Sequence, residues 1–331
     1  MSSHDESGQV DAGLEVTLRR MLAAGDFDLP LPASGSSAER LARLAGIARR
    51  DLQVARMAEA HTDAIAILCE ARRTPRSDAL YGVWAAEDPS SRLELVEASR
   101  FDTDVGSRVL RGTKAFCTGS SLLDRALVTV RGPSGVLLVD VDLRQPRVAF
   151  DASTWRTPAF RDTVTAVATF DDVAVNDTDI VGPPGWYLDR VGFWHGACGP
   201  AACWAGGALG LVDHAVAVAS AKSPAPHLDA QVGALAALGW GLAAFLDVAG
   251  HEIDQCPGET SEAMQRARML RHRVERTVTE VIDLHGRAVG PRSLIQDTSV
   301  LRRVEELQLY VRQHHGERDL EAIGIEARRT S

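Results

Sequence analysis

The stretch LRGTKAFCTGSSLLDRALVTV, Leu110–Val130, decides how the middle of the chain is interpreted. Its alternating residues and closing valines are typical of β-strands. A Gly-Ser-Ser cluster interrupts the pattern, although a plain hairpin needs only a two-residue turn. Phe116 and Thr118 stand just before this cluster. Because residues i and i+2 of a strand share one face, the pattern predicts a ring and a hydroxyl that can meet the same ligand.

The surrounding residues, from Ala79 to about Gly185, form short period-two runs separated by Gly, Pro, Asp and Ser. Many short strands without intervening helices predict an antiparallel barrel or sandwich. Helical periodicity flanks this zone on both sides. The segment from His195 to Lys222 is small and apolar nearly all round, which predicts the centre of a helical bundle. Its glycines would let neighbouring helices approach closely.

The predicted architecture is therefore α+β, with helices before and after a central β domain. We expect residues 1–13 to be a disordered N-terminus and residues 14–75 to be an N-terminal helical domain. Residues 76–187 would form the central antiparallel β-barrel domain, and residues 188–326 a C-terminal four-helix bundle. Ser36 or Ser37 is the expected N-cap of the helix that contains Glu39.

Composition restricts the classes of function. With 331 residues, 45% of them hydrophobic, the chain can bury a large core. A formal net charge of −9 gives no overall attraction to nucleic acid or anionic lipid. The five cysteines lack zinc-site spacing and suit a reducing compartment. The same cysteine spacing predicts no metal site. A polar N-terminus and interrupted apolar runs predict a cytoplasmic protein with no signal peptide or membrane span.

Several familiar catalytic motifs are missing from the sequence. The glycine-rich segment after His195 lacks GxGxxG spacing and a preceding strand, so helix packing explains it better than dinucleotide binding. A di-iron bundle would need a Glu-x-x-His motif on two helices, and the sequence contains no such motif. Neither a Gly-x-Ser-x-Gly elbow nor a phosphate loop occurs. The order of helical, β and helical zones is the remaining clue.

Five segments resemble motifs of one protein family, in the family's order: residues 110–128, 154–166, 170–185, 227–237 and 280–307. The first is similar to a G-x-K-x-(aromatic)-x-T strand pair, and the third to an exit from a β domain that ends in G-x-x-G. This family is the acyl-CoA dehydrogenase family of flavoproteins, and the resemblance begins at about residue 50. It implies FAD as the cofactor and a homodimer or homotetramer packed through the helical bundle.

The resemblance also implies roles for individual residues. Phe116 would flank the flavin ring and the Thr118 hydroxyl would bind its polar edge, as burial beside an aromatic ring and hydrogen bonding both favour a flavin. Trp84 stands in the loop that usually binds flavin through polar residues, so it would stack on the cofactor or belong to the core. Gln231 matches a glutamine near the facing subunit's cofactor. Gly286 would permit close approach to the pyrophosphate.

The catalytic base departs from the family pattern. Removal of an α proton from an acyl thioester needs a base, yet no Glu stands in register near the end of the last helix. His314 continues an apolar stripe, so we expect it to point inward, where it could be the base near neutral pH or cap the helix end. Glu317 is a second, weaker candidate.

Three functions follow from these observations. The first is an FAD-dependent oxidoreductase that acts on the CH–CH group of an acyl thioester and uses a separate electron acceptor. The second is a flavin-dependent monooxygenase that receives reduced flavin from a separate reductase, which the missing Glu and the inward His favour. The third is a non-catalytic subunit that has lost its flavin contacts, which the altered Trp84 loop favours.

Overall fold

The computed structural model describes residues 12–98 and 108–329 of the chain. It divides the chain into two compact units, each assembled from separate segments. Unit 1 consists of Met1–Phe27 and Arg73–Pro184, and unit 2 of Asp28–Arg72 and Gly185–Ser331. The N-terminal helices are thus shared between the two units, whereas the sequence predicted three consecutive domains.

Unit 1 is built on a mixed eight-stranded sheet. Its strands are β1 (Tyr81–Trp84), β2 (Leu93–Glu97), β3 (Arg108–Cys117), β4 (Arg125–Gly132), β5 (Gly135–Asp142), β6 (Val148–Asp151), β7 (Ala166–Val175) and β8 (Ile180–Val181).

The strand order is β6-β7-β3-β2-β4-β5-β8, with β1 paired to β4. Most neighbours are antiparallel, as predicted, but β1 and β2 both run parallel to β4. The predicted antiparallel β domain is therefore a mixed sheet, in which two strand pairs are parallel. Parallel pairing needs a long connection, and the residues between β1 and β4 provide one that includes β2 and β3.

Helix α1 (Ala12–Ala23) belongs to unit 1. Its Arg19 donates to the Asp124 carboxylate at 2.5 Å and to the Leu122 carbonyl at 3.0 Å. Asp124 also accepts the backbone N–H of Leu80 at 2.7 Å. This charged contact, which periodicity cannot reveal, places α1 against the strand region and not with the helices that follow it in sequence.

The regular secondary structure of unit 2 consists of helices, as far as its residues are described. Its helices are α2 (Ser37–Arg50), α3 (Leu52–Glu70), α4 (Trp186–Asp189), α5 (Val191–Gly196), α6 (Cys198–Ser220), α7 (Pro226–Gln255), α8 (Thr260–Val289), α9 (Pro291–Gln296), α10 (Thr298–Tyr310) and α11 (Glu317–Arg329).

Helix α6 lies at the centre of this unit, as its small apolar residues predicted. Trp204 and Leu211 are fully buried in it. A Cβ on Gly206 would overlap the backbone carbonyl of Ala45 in α2, so glycine is what allows these two helices to pack so closely. The N-cap of α2 is Ser36, yet its side chain makes no capping bond. Asp254 of α7 accepts the N–H groups of Gly35 and Ser37 instead, at 3.0 and 2.9 Å.

Two helical segments, Val191–Ser220 and Pro226–Gln255, are long and apolar enough to cross a membrane by length and composition alone. The expectation that no apolar run reaches this length was therefore wrong. Within the first segment, 61% of the most apolar window is buried inside the molecule, against 28% in the second. Core helices of globular proteins meet the same criterion, so this is weak evidence for a membrane.

Candidate functional site

Phe116 occupies an irregular position near the end of β3. The register between β3 and β7 shifts between Lys114 and Cys117, and Phe116 adopts a left-handed backbone with φ of 57°. A bulky residue in this region costs about 1–3 kcal/mol and is concentrated at functional sites. The bulge exposes 53% of Phe116, while the next residue, Cys117, is fully buried. An aromatic ring is thus presented outward from a strained backbone.

Thr118 lies one residue beyond β3, which ends at Cys117. Simple strand alternation therefore does not relate Thr118 to Phe116, because a bulge and a strand end intervene. The Thr118 hydroxyl lies 3.0 Å from the hydroxyl of Thr165, and either one can be the donor. Thr165 is buried, so this contact orients the half-buried Thr118 side chain.

Trp84 lies in the core of unit 1, with 2% of its surface exposed. Its indole N–H donates to the Thr118 carbonyl at 3.0 Å, and its ring meets the edge of Phe150 with centroids 6.1 Å apart. Of the two roles that the sequence left open, this geometry matches a core tryptophan. Trp84 holds the backbone of the Thr118 turn in place from inside the sheet.

His314 points inward in unit 2, with 5% of its side chain exposed. It follows a 3₁₀ turn, Val311–Gln313, that continues α10. Nδ1 of His314 accepts the backbone N–H of Gly316 at 3.1 Å, and Nε2 lies 3.8 Å from the Asp319 carboxylate. Burial lowers the pKa of His314, although Asp319 opposes this effect.

These contacts decide where the proton of neutral His314 resides. A backbone N–H can only donate, so Nδ1 must supply its lone pair and the proton must sit on Nε2. Neutral His314 then has no unoccupied basic nitrogen. To accept a second proton, it would have to give up the bond from Gly316, which makes it a poor base in this conformation.

Gln231 and Gly286 lie on long helices of unit 2. Gln231 is half-buried near the start of α7. Gly286 lies within α8, before the helix ends at Val289. A Cβ on Gly286 would meet no atom within 4 Å, and the residue at the end of the helix with a positive φ, of 73°, is Gly290.

The sequence analysis missed an acidic pair on α3. Glu59 and Asp63 are one helical turn apart, and each carboxylate contacts a glycine of the α5–α6 segment. A Cβ on Gly196 would lie 2.5 Å from Oδ1 of Asp63, and one on Gly199 would lie 3.2 Å from Oε1 of Glu59. Two acids at i and i+4 among the small and apolar residues of this helix were the available signal.

Burial raises the pKa of both acids. Loss of hydration, followed by the negative charge of Asp63, raises the pKa of Glu59 to about 8 even though Arg56, Arg40 and Arg271 oppose the shift. Burial likewise raises the pKa of Asp63, against the effect of Arg190 and Arg40. A carboxyl group of this kind holds its proton at neutral pH, which is typical of functional sites.

Comparisons with known proteins were made at the level of sequence and of structure. No known family model and no curated protein matches the sequence. The mixed sheet and the helical C-terminal region of this chain match an acyl-CoA dehydrogenase-like fold.

Solved structures with this fold cover nearly the whole chain. TdsC from Paenibacillus sp. A11-2, in complex with FMN and indole, has a TM-score of 0.76 at 17% identity over 94% of both chains. Methanesulfinate monooxygenase MsuC from Pseudomonas fluorescens has a TM-score of 0.74 at 16% identity over 96% of both. A nitrososynthase from Micromonospora carbonacea var. africana has a TM-score of 0.77 at 16% identity over 96% of this chain and 95% of its own. At these identities the likeness establishes the fold alone.

Proposed function

We propose that this protein is a flavin-dependent monooxygenase-type oxidoreductase that binds FMN and acts on a small organic molecule. The exposed Phe116 ring, held out by a strained bulge, carries the proposal. A solvated phenyl ring on a costly backbone is best explained by a planar apolar ligand that covers it. The named structural neighbours support this choice, since TdsC was solved with FMN and MsuC is a monooxygenase.

The residues of unit 1 have separable tasks in this proposal. Phe116 would lie against the isoalloxazine ring. The Thr118 hydroxyl, oriented by Thr165 at 3.0 Å, would hydrogen-bond the polar edge of the ring. Trp84 would act indirectly, because its bond to the Thr118 carbonyl fixes the turn. When bound, the flavin would supply the two-electron chemistry that side chains lack.

FMN, and not FAD, is the cofactor that we propose. Gly286, which the resemblance assigned to the pyrophosphate that FAD has and FMN lacks, lies inside α8, and the structural neighbour TdsC was solved with FMN. A monooxygenase of this type would receive reduced flavin from a separate reductase. It would need no base to remove an α proton, which agrees with the occupied Nδ1 that makes His314 a poor base.

FMN titration of the purified protein, followed by quenching of flavin fluorescence, tests the cofactor proposal. We expect Phe116→Leu to weaken FMN binding by about two- to ten-fold, because a stacking contact contributes about 0.5–1.5 kcal/mol beyond burial. Phe116→Tyr, which keeps the ring, is the matched control and should bind as the wild type does. Thr118→Val should weaken binding, whereas Thr118→Ser should preserve it.

The reaction is tested with reduced FMN, oxygen and indole as the probe substrate. An oxygenated indole product supports the monooxygenase. Anaerobic bleaching of bound flavin by an acyl-CoA would instead support the CH–CH dehydrogenase and refute our choice. If neither FMN nor FAD binds the wild-type protein, the non-catalytic subunit becomes the correct description.

A further inference from the structure

Lys114 of β3 is a buried cation beside a small polar cavity of unit 1. It is the lysine of the G-x-K motif, and the proposed function gives it no task. Only 5% of its surface is exposed, although a buried charge is costly unless it is well paired. The cavity has a volume of about 10 Å³, which is room for about one water molecule. Its polar lining residues are Glu87, Asp88, Ser91, Lys114, Thr129 and Arg131.

The described residues satisfy the Lys114 ammonium only in part. An ammonium has three N–H donors, and one of them bonds the Thr129 hydroxyl of β4 at 2.7 Å. The acid paired with Lys114 is Glu87, which lies 3.6 Å from Nζ, and this is longer than a charge-assisted hydrogen bond. Burial lowers the pKa of Lys114, and although Glu87 opposes this effect, the nearby charge of Arg131 adds to it. A negative charge closer to the ammonium would therefore be favourable.

Glu87 bridges two cations with the two oxygens of one carboxylate. Oε1 lies 3.6 Å from Nζ of Lys114, and Oε2 lies 3.8 Å from a guanidinium nitrogen of Arg131. Neither cation forms an ion pair with another acid among the described residues. Asp88, which also lines the cavity, accepts the N–H of Ser90 at 2.8 Å instead. Two positive charges therefore share a single bridging carboxylate.

The bridging carboxylate can leave this position at little cost. Glu87 is 66% exposed and belongs to the connection between β1 and β2, and exposed ion pairs contribute little to stability. The far end of the same connection is fixed, because the Ser91 hydroxyl donates to the Thr113 carbonyl and accepts the Ala115 N–H, both at 2.9 Å. Glu87 can therefore turn towards solvent while the end of the connection stays attached to β3.

We propose that Lys114 and Arg131 form a binding site for a phosphate dianion, and that Glu87 occupies the place of this dianion in the free protein. Arginine binds phosphate oxygens as a planar fork and lysine binds them as a point charge. A dianion balances both positive charges, whereas the Glu87 carboxylate balances one. The site does not depend on the role proposed for Phe116, since inorganic phosphate alone would occupy it.

Isothermal titration calorimetry of the purified full-length protein with inorganic phosphate, at pH 8 and low salt, tests the site. We expect saturable binding at one site per chain. Acetate, which carries a single negative charge, should bind much more weakly. Absence of phosphate binding, or acetate binding as tight as that of phosphate, would overturn the proposal.

Variants of the two exposed members should have effects of opposite sign. Arg131→Gln should weaken phosphate binding about ten-fold or more, because charge-assisted hydrogen bonds are lost. Glu87→Gln should tighten it by about two- to five-fold, because the competing carboxylate is removed. The matched controls, which should bind as the wild type does, are Arg144→Gln at an exposed arginine just after β5 and Glu39→Gln at an exposed acid on α2. Weaker binding in Glu87→Gln, or unchanged binding in Arg131→Gln, would refute the site.

The buried cation is tested with Lys114→Met, which should abolish phosphate binding. Because Lys114 is buried, circular dichroism first establishes that this variant is folded. If it is not, Arg131→Gln decides the question, since Arg131 is 55% exposed and its replacement leaves the core unchanged. Wild-type phosphate affinity in folded Lys114→Met would contradict the proposal.

Competition identifies the molecule that brings the phosphate. If FMN prevents phosphate binding and riboflavin does not, the site holds the phosphate of the flavin itself. If neither flavin competes, the site takes a separate phosphorylated molecule. The phosphate titration of the wild type decides whether the site exists in either case, so its failure is distinct from a failure of the wild type to bind FMN.

Discussion

Acidification should destabilise unit 2 through one buried histidine. His285 of α8 is fully buried, and its Nε2 lies 2.9 Å from Nδ1 of His214 in α6. Its other nitrogen, Nδ1, is also buried and has no hydrogen-bond partner among the described residues. Burial, followed by the charge of His214, lowers the pKa of His285 from 6.5 to about 4. The folded protein therefore keeps His285 neutral at a pH where the unfolded chain would protonate it.

The sign and size of the effect follow from this difference. Below pH 6.5 the unfolded chain binds a proton at this site and the folded one does not, so stability falls with pH until about pH 4. Each pH unit inside that window corresponds to about 1.4 kcal/mol. Between pH 7.5 and pH 5, His285 should account for a loss of about 2 kcal/mol in the free energy of unfolding.

Urea unfolding at these two pH values, followed by far-ultraviolet circular dichroism, measures the loss because unit 2 is helical. His285→Gln removes the titration and keeps a polar group that can reach His214. We expect the variant to lose about 2 kcal/mol less than the wild type on acidification. His227→Gln, an exposed control on α7, should lose as much as the wild type does. Equal losses in the wild type and His285→Gln would refute the reasoning.

Two further predictions concern helix packing. Gly206→Ala should destabilise the protein by about 1–3 kcal/mol, because its Cβ would overlap the Ala45 carbonyl. Gly46→Ala on α2, with open space around its Cβ, should leave the urea midpoint unchanged or raise it, and equal loss in both variants would contradict the packing argument. Trp240 on α7 is 77% exposed on an apolar helix, so Trp240→Asp should convert a homo-oligomer to a monomer in light scattering with helical content retained. A wild-type protein that is already monomeric would show this expectation to be wrong.

Local sequence periodicity was sufficient to predict much of the fold. The strand pair around the Gly-Ser-Ser bend, the buried α6 and the helices on either side of the β region follow from residues only two to four positions apart. Phe116 was predicted to contact a ligand because this aromatic residue and a hydroxyl lie beside a bend of small residues. Each of these signals depends on near neighbours along the chain, which the sequence displays directly.

Tertiary structure alone decided the features that join distant residues. Arg19 pairs with Asp124 and so assigns α1 to unit 1, and Asp254 supplies the cap that Ser36 does not. The bulge at Phe116 depends on its register with β7. The sequence of α3 does not show that Glu59 packs against α6, a contact that Gly199 makes possible. Protonation and packing depend on which groups exclude water from a site, and that is determined by how the chain folds back on itself.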